Sequence, residues 1–197
     1  MPYRPTPVSF VFSLALAALA AVLAASPALG QLGILSRVVT TSMDARTKAE
    51  VTADTEISAG ASKRLLEDKQ AQWSGVTLLV FAQHVVLAGA VKTADAKTLV
   101  EKVVKSDKRI RSLKNELQVG DVGGFAGDTA LDTQINGTLT AAKGVSSVNM
   151  RWHATGGRVV LMGVAQSRQE ANLAVQKIRG VSDVKAVVSH LRIVAKK

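Results

Sequence analysis

The feature of this 197-residue chain that most constrains its fold is an internal repeat. The segment His84–Val91 (HVVLAGAV) matches Arg158–Ala165 (RVVLMGVA), with Gly89 and Gly163 in equivalent positions 74 residues apart. The same spacing holds without a gap over residues 54–119 and 128–193. The paired apolar positions are Ile57/Leu131, Ala61/Ile135, Leu65/Leu139, Ile110/Val184, Leu113/Val187, Leu117/Leu191 and Val119/Ile193. This agreement indicates duplication of one small domain.

The first half of each copy predicts a helix followed by a β-hairpin. Apolar residues at i, i+4 and i+8 follow Asp54 or Asp128, so we expect an amphipathic helix capped by that Asp. Residues 149–154 then alternate between Asn149, Arg151 and His153 on one side and Met150, Trp152 and Ala154 on the other. Such alternation is typical of a half-buried strand, and Gly156-Gly157 favours a tight turn after it. The turn in copy one, Ala82-Gln83, lacks favoured turn residues.

The second half of each copy predicts a helix and a closing strand. In copy one, apolar residues at i, i+3, i+4, i+7 and i+8 define one helix face; they are Ala96, Leu99, Val100, Val103 and Val104. In copy two, Ser167 followed by Glu170 predicts a capping box, and Lys177 replaces the equivalent Val103. Alternating residues 113–119 and 187–193 predict the last strand.

We therefore expect an α+β protein of two tandem αββαβ domains, each a small three-stranded sheet packed by two helices. The first copy spans residues 46–119 and the second residues 128–195, after an extended lead at 31–45. Residues 120–127 (GDVGGFAG) contain four glycines and predict a flexible linker. Their spacing matches neither dinucleotide-binding nor P-loop patterns.

Residues 1–30 have the pattern of a secretory signal peptide. Arg4 precedes an uncharged run from residue 8 to 25, Pro27 breaks the helix, and Ala28-Leu29-Gly30 predicts cleavage after Gly30. The alternative is an uncleaved anchor, since a run of this length approaches the ~20 residues that span a bilayer. Its alanine-rich composition favours cleavage and export to the periplasm.

Charge and cysteine content limit the kinds of site and binding partner that the protein can have. The chain has no cysteine, which excludes disulfides, thiolate metal sites, cysteine nucleophiles and a lipid anchor on an N-terminal cysteine. The net charge is +10 with 25 basic and 15 acidic residues, and loss of Arg4 with the signal leaves +9. A basic exported protein is expected to meet anionic lipid, lipopolysaccharide or acidic cell-wall polymers rather than nucleic acid.

The motifs resemble the BON domain of bacterial envelope proteins, a family with a V-x-L-x-G-x-V hairpin strand and a later G-V-x-x-V. Copy two carries Gly163 in the first motif and Gly180-Val181 in the second, while copy one carries Gly89 but has Ser106-Asp107 where the family has Gly-Val. The resemblance covers roughly residues 46–195. Two copies behind an export signal are most similar to dual-BON outer-membrane lipoproteins and osmotically inducible periplasmic BON proteins.

This resemblance implies a non-enzymatic protein of stress response and outer-membrane integrity that binds phospholipid. In the dual-BON lipoproteins the first helix of the second domain is implicated in binding anionic phospholipid, which points here to Leu131 and Ile135. From the residues alone, the spacing of Ile135 and Leu139 favours core packing. For Leu131, in the first turn, the resemblance implies a side chain that stays exposed and dips into a bilayer. Without cysteine, contact must come from the folded domains or an uncleaved signal.

A basic run between residues 92 and 114 is the second candidate lipid-binding surface. It contains Lys102, Lys105, Lys108 and Arg109, together with Lys92, Lys97, Arg111 and Lys114, against three acidic residues. Near an anionic membrane each basic residue contributes on the order of 1 kcal/mol. The alternative is a solvated helix face with no partner.

No catalytic or metal-binding pattern stands out. His84, His153 and His190 have no ligand spacing between them and are expected to be solvated. No G-x-S-x-G elbow occurs. We expect no catalytic residues, metal, cofactor or small-molecule substrate. The predicted function is binding of anionic phospholipid surfaces in cell-envelope maintenance, with envelope proteins as further partners; the alternative is a periplasmic stress chaperone or protein-interaction module.

Overall fold

The structure is a computed structural model that describes residues 44–68, 73–120 and 125–194. The predicted signal peptide, with its alternative as an anchor, and most of the predicted lead lie outside these residues. Residues 121–124 of the predicted linker also lie outside them.

The first repeat folds in the predicted αββαβ order, except that its closing strand is divided into two short strands, so that its sheet has four strands rather than three. Its elements are α1 (Lys48–Glu67), β1 (Val76–Phe81), β2 (His84–Val91), α2 (Ala94–Lys105), β3 (Ser112–Asn115) and β4 (Gln118–Val119). Strand β2 is central, antiparallel to β1 and parallel to β3 and β4, which follow one another along the same edge. Between them the Asn115 side chain accepts the backbone N–H of Leu117 and interrupts the ladder.

The second repeat has the same order. Its elements are α3 (Phe125–Ala141), a short 3₁₀ helix (Ser147–Asn149), β5 (Met150–Thr155), β6 (Arg158–Ala165), α4 (Arg168–Arg179) and β7 (Ala186–Ile193). Strand β6 lies between antiparallel β5 and parallel β7. The predicted α+β class, with two tandem αββαβ domains, is confirmed.

Strand pairing reproduces the repeat residue by residue. Phe81 pairs with His84 at the end of the first hairpin, and Thr155 with Arg158 at the end of the second. Val85 pairs with Leu113 in the first sheet, as Val159 does with Val187 in the second. All four residues of one sheet lie 74 positions before their counterparts, so the duplication preserved the register of both sheets.

Each domain has its own core on the helix side of its sheet. The predicted stripe of α2 packs there, with Ala96, Val100 and Val104 buried and Leu99 and Val103 partly buried. In domain 2 the stripe Leu131, Ile135 and Leu139 packs against Met150, Ala154 and Ile178. These contacts follow from the 3.6-residue helix period and the two-residue strand period.

A third apolar cluster joins the two domains. It consists of Leu79, Phe81, Ala82, Val86, Ala88, Val160, Met162 and Val164, all buried. These residues lie on the sheet faces that point away from the helices, so the two sheets pack face to face. The polar face predicted for β5 is also covered, since Arg151 is only 9% exposed, and the expectation that this strand is half-buried is wrong. The result is four layers, with a helix pair on each outer side. Continuous apolar runs in β2 and β6, typical of strands buried on both faces, were the available sequence signal.

The predicted Asp54 cap is also wrong. Helix α1 begins at Lys48 behind Thr47, whose side chain accepts the N–H of Glu50 while the Glu50 carboxylate accepts the N–H of Thr47. Helix α3 begins at Phe125, before the predicted start near Asp128. An Asp at the start of an apolar stripe therefore did not mark either helix start.

The predicted Ser167 cap is confirmed, since its side chain accepts the N–H of Glu170. The predicted capping box is not completed, because the Glu170 carboxylate does not accept the N–H of Ser167. It accepts instead the N–H groups of Gln166 and Ser146, both at 2.7 Å.

The buried Asp54 stabilises the unfavourable turn of the first hairpin. Ala82 and Gln83 have φ values of 51° and 64°, the left-handed region that ordinary residues avoid. The Asp54 carboxylate accepts both of their N–H groups, at 2.8 and 2.6 Å. In domain 2 the same turn consists of Gly156 and Gly157, which adopt such angles at little cost.

The predicted motif residues have structural roles. Gly89 and Gly163 have φ values of 103° and 124°, and a Cβ on either would overlap a backbone carbonyl oxygen of the preceding segment. Gly180 ends α4, where its N–H reaches the carbonyl groups of the last turn. Val181 packs against the second core.

Candidate functional site

The first helix of domain 2 does not offer its apolar stripe to a membrane. Leu131 is 5% exposed and Ile135 is fully buried. The expectation that Leu131 stays exposed is therefore wrong. Because α3 begins at Phe125, Leu131 lies in its second turn and reaches the core. Ile135 and Leu139 pack in the core, the alternative that their spacing favoured.

Three lysines of the predicted basic run have exposed side chains. Lys102 and Lys105 lie on the outer side of α2, and Lys108 follows in the turn after it; all three are exposed. No hydrogen bond or ion pair joins them to another residue of the described ranges. Lys102 and Lys105 also lie in the last turn of α2, where a positive charge interacts favourably with the helix dipole.

The acidic residues beside these lysines are occupied. The buried Asp107 carboxylate accepts Arg109 at 2.8 Å and Arg64 at 3.1 Å. Glu101 accepts the side-chain amide of Asn115 at 2.9 Å. The carboxylates closest in sequence therefore bind other groups and leave the three lysines as a positive surface.

Arg109 is part of the ion-pair network around Asp107 rather than of the positive surface formed by the three lysines. It pairs with Asp107, two positions before it, and with Glu56 of α1 at 2.6 Å. The hydrogen bonds from Arg109 outweigh the effect of burial and, with Arg64, hold the pKa of Asp107 well below its usual range. Arg109 thus ties α1 to the turn after α2.

The histidines are not simply solvated, which corrects the expectation from sequence. His153 Nδ1 lies 3.1 Å from the carboxylate of Asp132, and His190 Nε2 lies 2.9 Å from that of Glu116. His84 Nδ1 lies 2.6 Å from Ser112 Oγ. Burial, together with nearby Arg192 and Arg111, lowers the pKa of His84.

Sequence reasoning missed a buried ionic cluster before α1. The Arg46 guanidinium pairs with Asp44 at 2.7 Å and Asp54 at 3.0 Å, and lies 4.6 Å from the centre of the Phe81 ring. The N–H of Ala45 donates to Asn149 of domain 2 at 2.7 Å. Residues 44–46 therefore contact both domains.

Two further properties concern only the described parts of the chain. None of their helices is both long and apolar enough to cross a bilayer. Within the same ranges, no three metal-binding side chains lie close together.

Each copy of the repeat matches the same known protein family. The BON domain model matches residues 53–121 and again 127–195. The chain is 32% identical over 125 residues to "Uncharacterized protein in gshII 5'region" of Anaplasma centrale, covering 61% of this chain and 83% of that protein. It is 27% identical over 144 residues to "Osmotically-inducible protein Y" of Escherichia coli (strain K12), covering 71% and 72%.

Among solved structures, the chain is similar to CdsD, a structural protein of the type III secretion system of Chlamydia trachomatis. The match has 16% identity and a TM-score of 0.32, and covers 70% of this chain and 63% of that one. The domain matches on both repeats, together with the αββαβ fold of each, show that this chain belongs to the BON domain family and carries two BON domains in tandem.

Proposed function

We propose that this protein is a non-enzymatic, stress-related component of the periplasm that binds anionic phospholipid surfaces through Lys102, Lys105 and Lys108. The observation that carries the proposal is that these lysines are exposed while their neighbours Asp107 and Glu101 bind other groups. The similarity to an osmotically inducible protein supports a stress-related role, and the signal-like N-terminus supports export.

The binding energy is expected to be electrostatic. Three lysines at an anionic membrane contribute about 3 kcal/mol together, roughly a hundredfold in partitioning. Salt shortens the range of this attraction, from about 8 Å at physiological ionic strength to about 3 Å at 1 M. The proposed contact is therefore reversible and sensitive to salt.

Vesicle sedimentation tests the proposal. Residues 31–197 are mixed with phosphatidylcholine vesicles with or without phosphatidylglycerol, at low and high salt. We expect binding only to the anionic vesicles at low salt, and about a hundredfold weaker binding for Lys102→Gln/Lys105→Gln/Lys108→Gln.

The matched control is Lys48→Gln/Lys143→Gln/Lys185→Gln, which removes the same charge from other exposed positions. Equal losses in both variants would show that net charge acts rather than this surface. Absence of binding to any vesicle would overturn the proposed function.

A further inference from the structure

The closing strand of each repeat forms one edge of its sheet. In domain 2 that edge is β7, which pairs only with β6 among the strands that the structure describes. The Val194 N–H donates to the Ala165 carbonyl at 2.9 Å, so the even-numbered residues of β7 direct their backbone groups toward β6. The odd-numbered residues direct theirs away from the sheet; they are Val187, Ser189, Leu191 and Ile193.

The equivalent edge of domain 1 is blocked by its own side chains. The outward-facing N–H of Leu117 donates to Asn115 Oδ1 at 3.2 Å, and Lys97 Nζ donates to the Leu117 carbonyl at 2.7 Å. These contacts occupy the backbone groups that an added strand would need. The edge is also divided into two strands of four and two residues.

Domain 2 has lost this block. Lys97 is replaced by Ala171, which has no donor for the Leu191 carbonyl, and Asn115 is replaced by Ser189. Ser189 Oγ accepts the Leu191 N–H at the longer distance of 3.4 Å. Strand β7 runs through eight residues in unbroken register and contains no proline, lysine or acidic residue. A long edge without such protection is a template for pairing with another strand.

The exposed side chains at this edge favour a second copy of β7 as the added strand. Ile193 and Val194 are 48% and 44% exposed. In an antiparallel pair centred on His190, Ile193 comes opposite Val187 of the second copy and Val194 opposite Ala186. This register covers apolar side chains with apolar side chains. It also allows about eight backbone hydrogen bonds, two for each pair of outward-facing residues.

Charge favours the antiparallel orientation. In this register Arg192 lies opposite Val188 of the second copy. A parallel pair in register would place the two Arg192 side chains beside each other, and like charges at opposed positions destabilise a strand pair. Because the whole chain is strongly basic, two copies repel each other at long range. The contact must therefore be held by backbone hydrogen bonds and apolar burial.

We propose that the edge of β7 binds β7 of a second copy of this chain, antiparallel and centred on His190. The two three-stranded sheets of domain 2 then form one continuous sheet across a symmetric dimer. A pair of edge strands buries less than the about 1,200 Å² of a standard interface, so the dimer is reversible. The proposal goes beyond lipid binding and does not depend on the lysines of domain 1.

The direct test is analytical ultracentrifugation of residues 31–197 over a wide range of concentration, at low and high salt. We expect a monomer–dimer equilibrium that high salt strengthens, because salt screens the repulsion between the two copies. Vesicle binding is expected to weaken under the same change, so the two proposals can fail separately. A chain that stays monomeric at every concentration in high salt would overturn the dimer.

A charge at the end of the edge should disrupt the pairing. Ile193→Lys should weaken dimerisation at least about tenfold, because an apolar contact is lost twice in a symmetric dimer. The matched control is Leu66→Lys, at a 47% exposed position of α1, which packs against β1 at the opposite edge of its sheet. The control should leave dimerisation unchanged. Equal losses in the two variants would mean that added charge acts rather than this edge.

A second variant rebuilds the domain 1 block in domain 2. Ala171→Lys/Ser189→Asn supplies a donor for the Leu191 carbonyl and an acceptor for its N–H, and should give a monomer with unchanged circular dichroism. Asn172→Lys adds the same charge at an exposed position of α4 and should leave the dimer intact. A dimer that persists in Ala171→Lys/Ser189→Asn would contradict the proposal.

Disulfide cross-linking tests the register, since the chain has no cysteine of its own. Val188→Cys and Arg192→Cys come opposite each other in a pair without backbone hydrogen bonds. The Cα separation in such a pair, about 4.5 Å, suits a disulfide. A mixture of the two variants should form a cross-linked dimer under mild oxidation, and either variant alone should form much less. Absence of cross-linking in the mixture, or equal cross-linking in the separate variants, would refute the antiparallel pair centred on His190.

Discussion

Glu116 and His190 occupy the same position in the two repeats, and their side chains are hydrogen-bonded to each other at 2.9 Å. A residue that contacts its own repeat counterpart lies near the axis relating the two copies. Strand β1 likewise contacts its counterpart β5. The domains are therefore related by an approximate two-fold axis through their paired sheets, as in a symmetric dimer joined into one chain.

Glu116 should stabilise the contact between the domains. Its second carboxylate oxygen accepts Arg158 at 2.6 Å. We expect Glu116→Gln to lower the free energy of unfolding by about 1 kcal/mol at pH 7, because the three side chains are only partly buried. Urea denaturation measures this, with the exposed Glu67→Gln as a control expected to change little.

The same pair predicts a pH dependence. Partial burial raises the pKa of Glu116, but the hydrogen bonds from Arg158 and His190 outweigh it, and the net pKa is lowered. The stabilisation is therefore complete above the usual value of 4.5 and is lost as pH falls through the lowered pKa. The difference between the natural protein and Glu116→Gln should shrink in acid; a constant difference from pH 7 to pH 3 would contradict this.

Asp107 should dominate the acid sensitivity of domain 1. Its pKa is lowered, so its stabilisation is present above the usual value of 3.8 and is lost as pH falls toward the folded value. Asp107→Asn should cost about 2 kcal/mol at pH 7, as expected for buried hydrogen bonds to charged groups. Unfolding curves across the acid range test this against Asp183→Asn, an exposed control; equal stability of the two variants at pH 7 would count against the network.

Substitutions in the two hairpin turns should change the stability of the protein in opposite directions. Gln83→Gly should stabilise the protein by about 1 kcal/mol, because glycine removes the cost of a left-handed residue. Gly157→Gln should destabilise it, since a Cβ there would lie 2.7 Å from the Asp183 carbonyl oxygen at a φ of 83°. Thermal unfolding of both variants checks the signs, and a destabilised Gln83→Gly would show that the Asp54 hydrogen bonds already remove the strain.

Leu131→Glu should unfold domain 2 rather than block a lipid contact. Truncating a buried leucine alone costs about 2–5 kcal/mol, and a buried carboxylate adds to that. Leu66→Glu, at a 47% exposed position of α1, is the matched control. Circular dichroism and urea unfolding separate the two, and a fully stable Leu131→Glu variant would mean that the side chain does not belong to the core.

Local patterns predicted the secondary structure well and the candidate site only in part. The apolar stripe of α2 and the capping Ser167 depend on residues close in sequence, and both are as expected. The exposure of Lys102 follows from the same helix period. Leu131 was misplaced because its exposure depends on where α3 begins, three residues before the predicted position at Asp128.

The sequence by itself determined two αββαβ domains in a shared register, because a 74-residue repeat and the periods of helix and strand are properties of the chain alone. Only the tertiary structure decided which surfaces remain free. The burial of Phe81, Val86 and Met162 in one cluster and the contact of Glu116 with His190 join residues distant in sequence. Such contacts depend on how whole faces pack together, which no local period encodes.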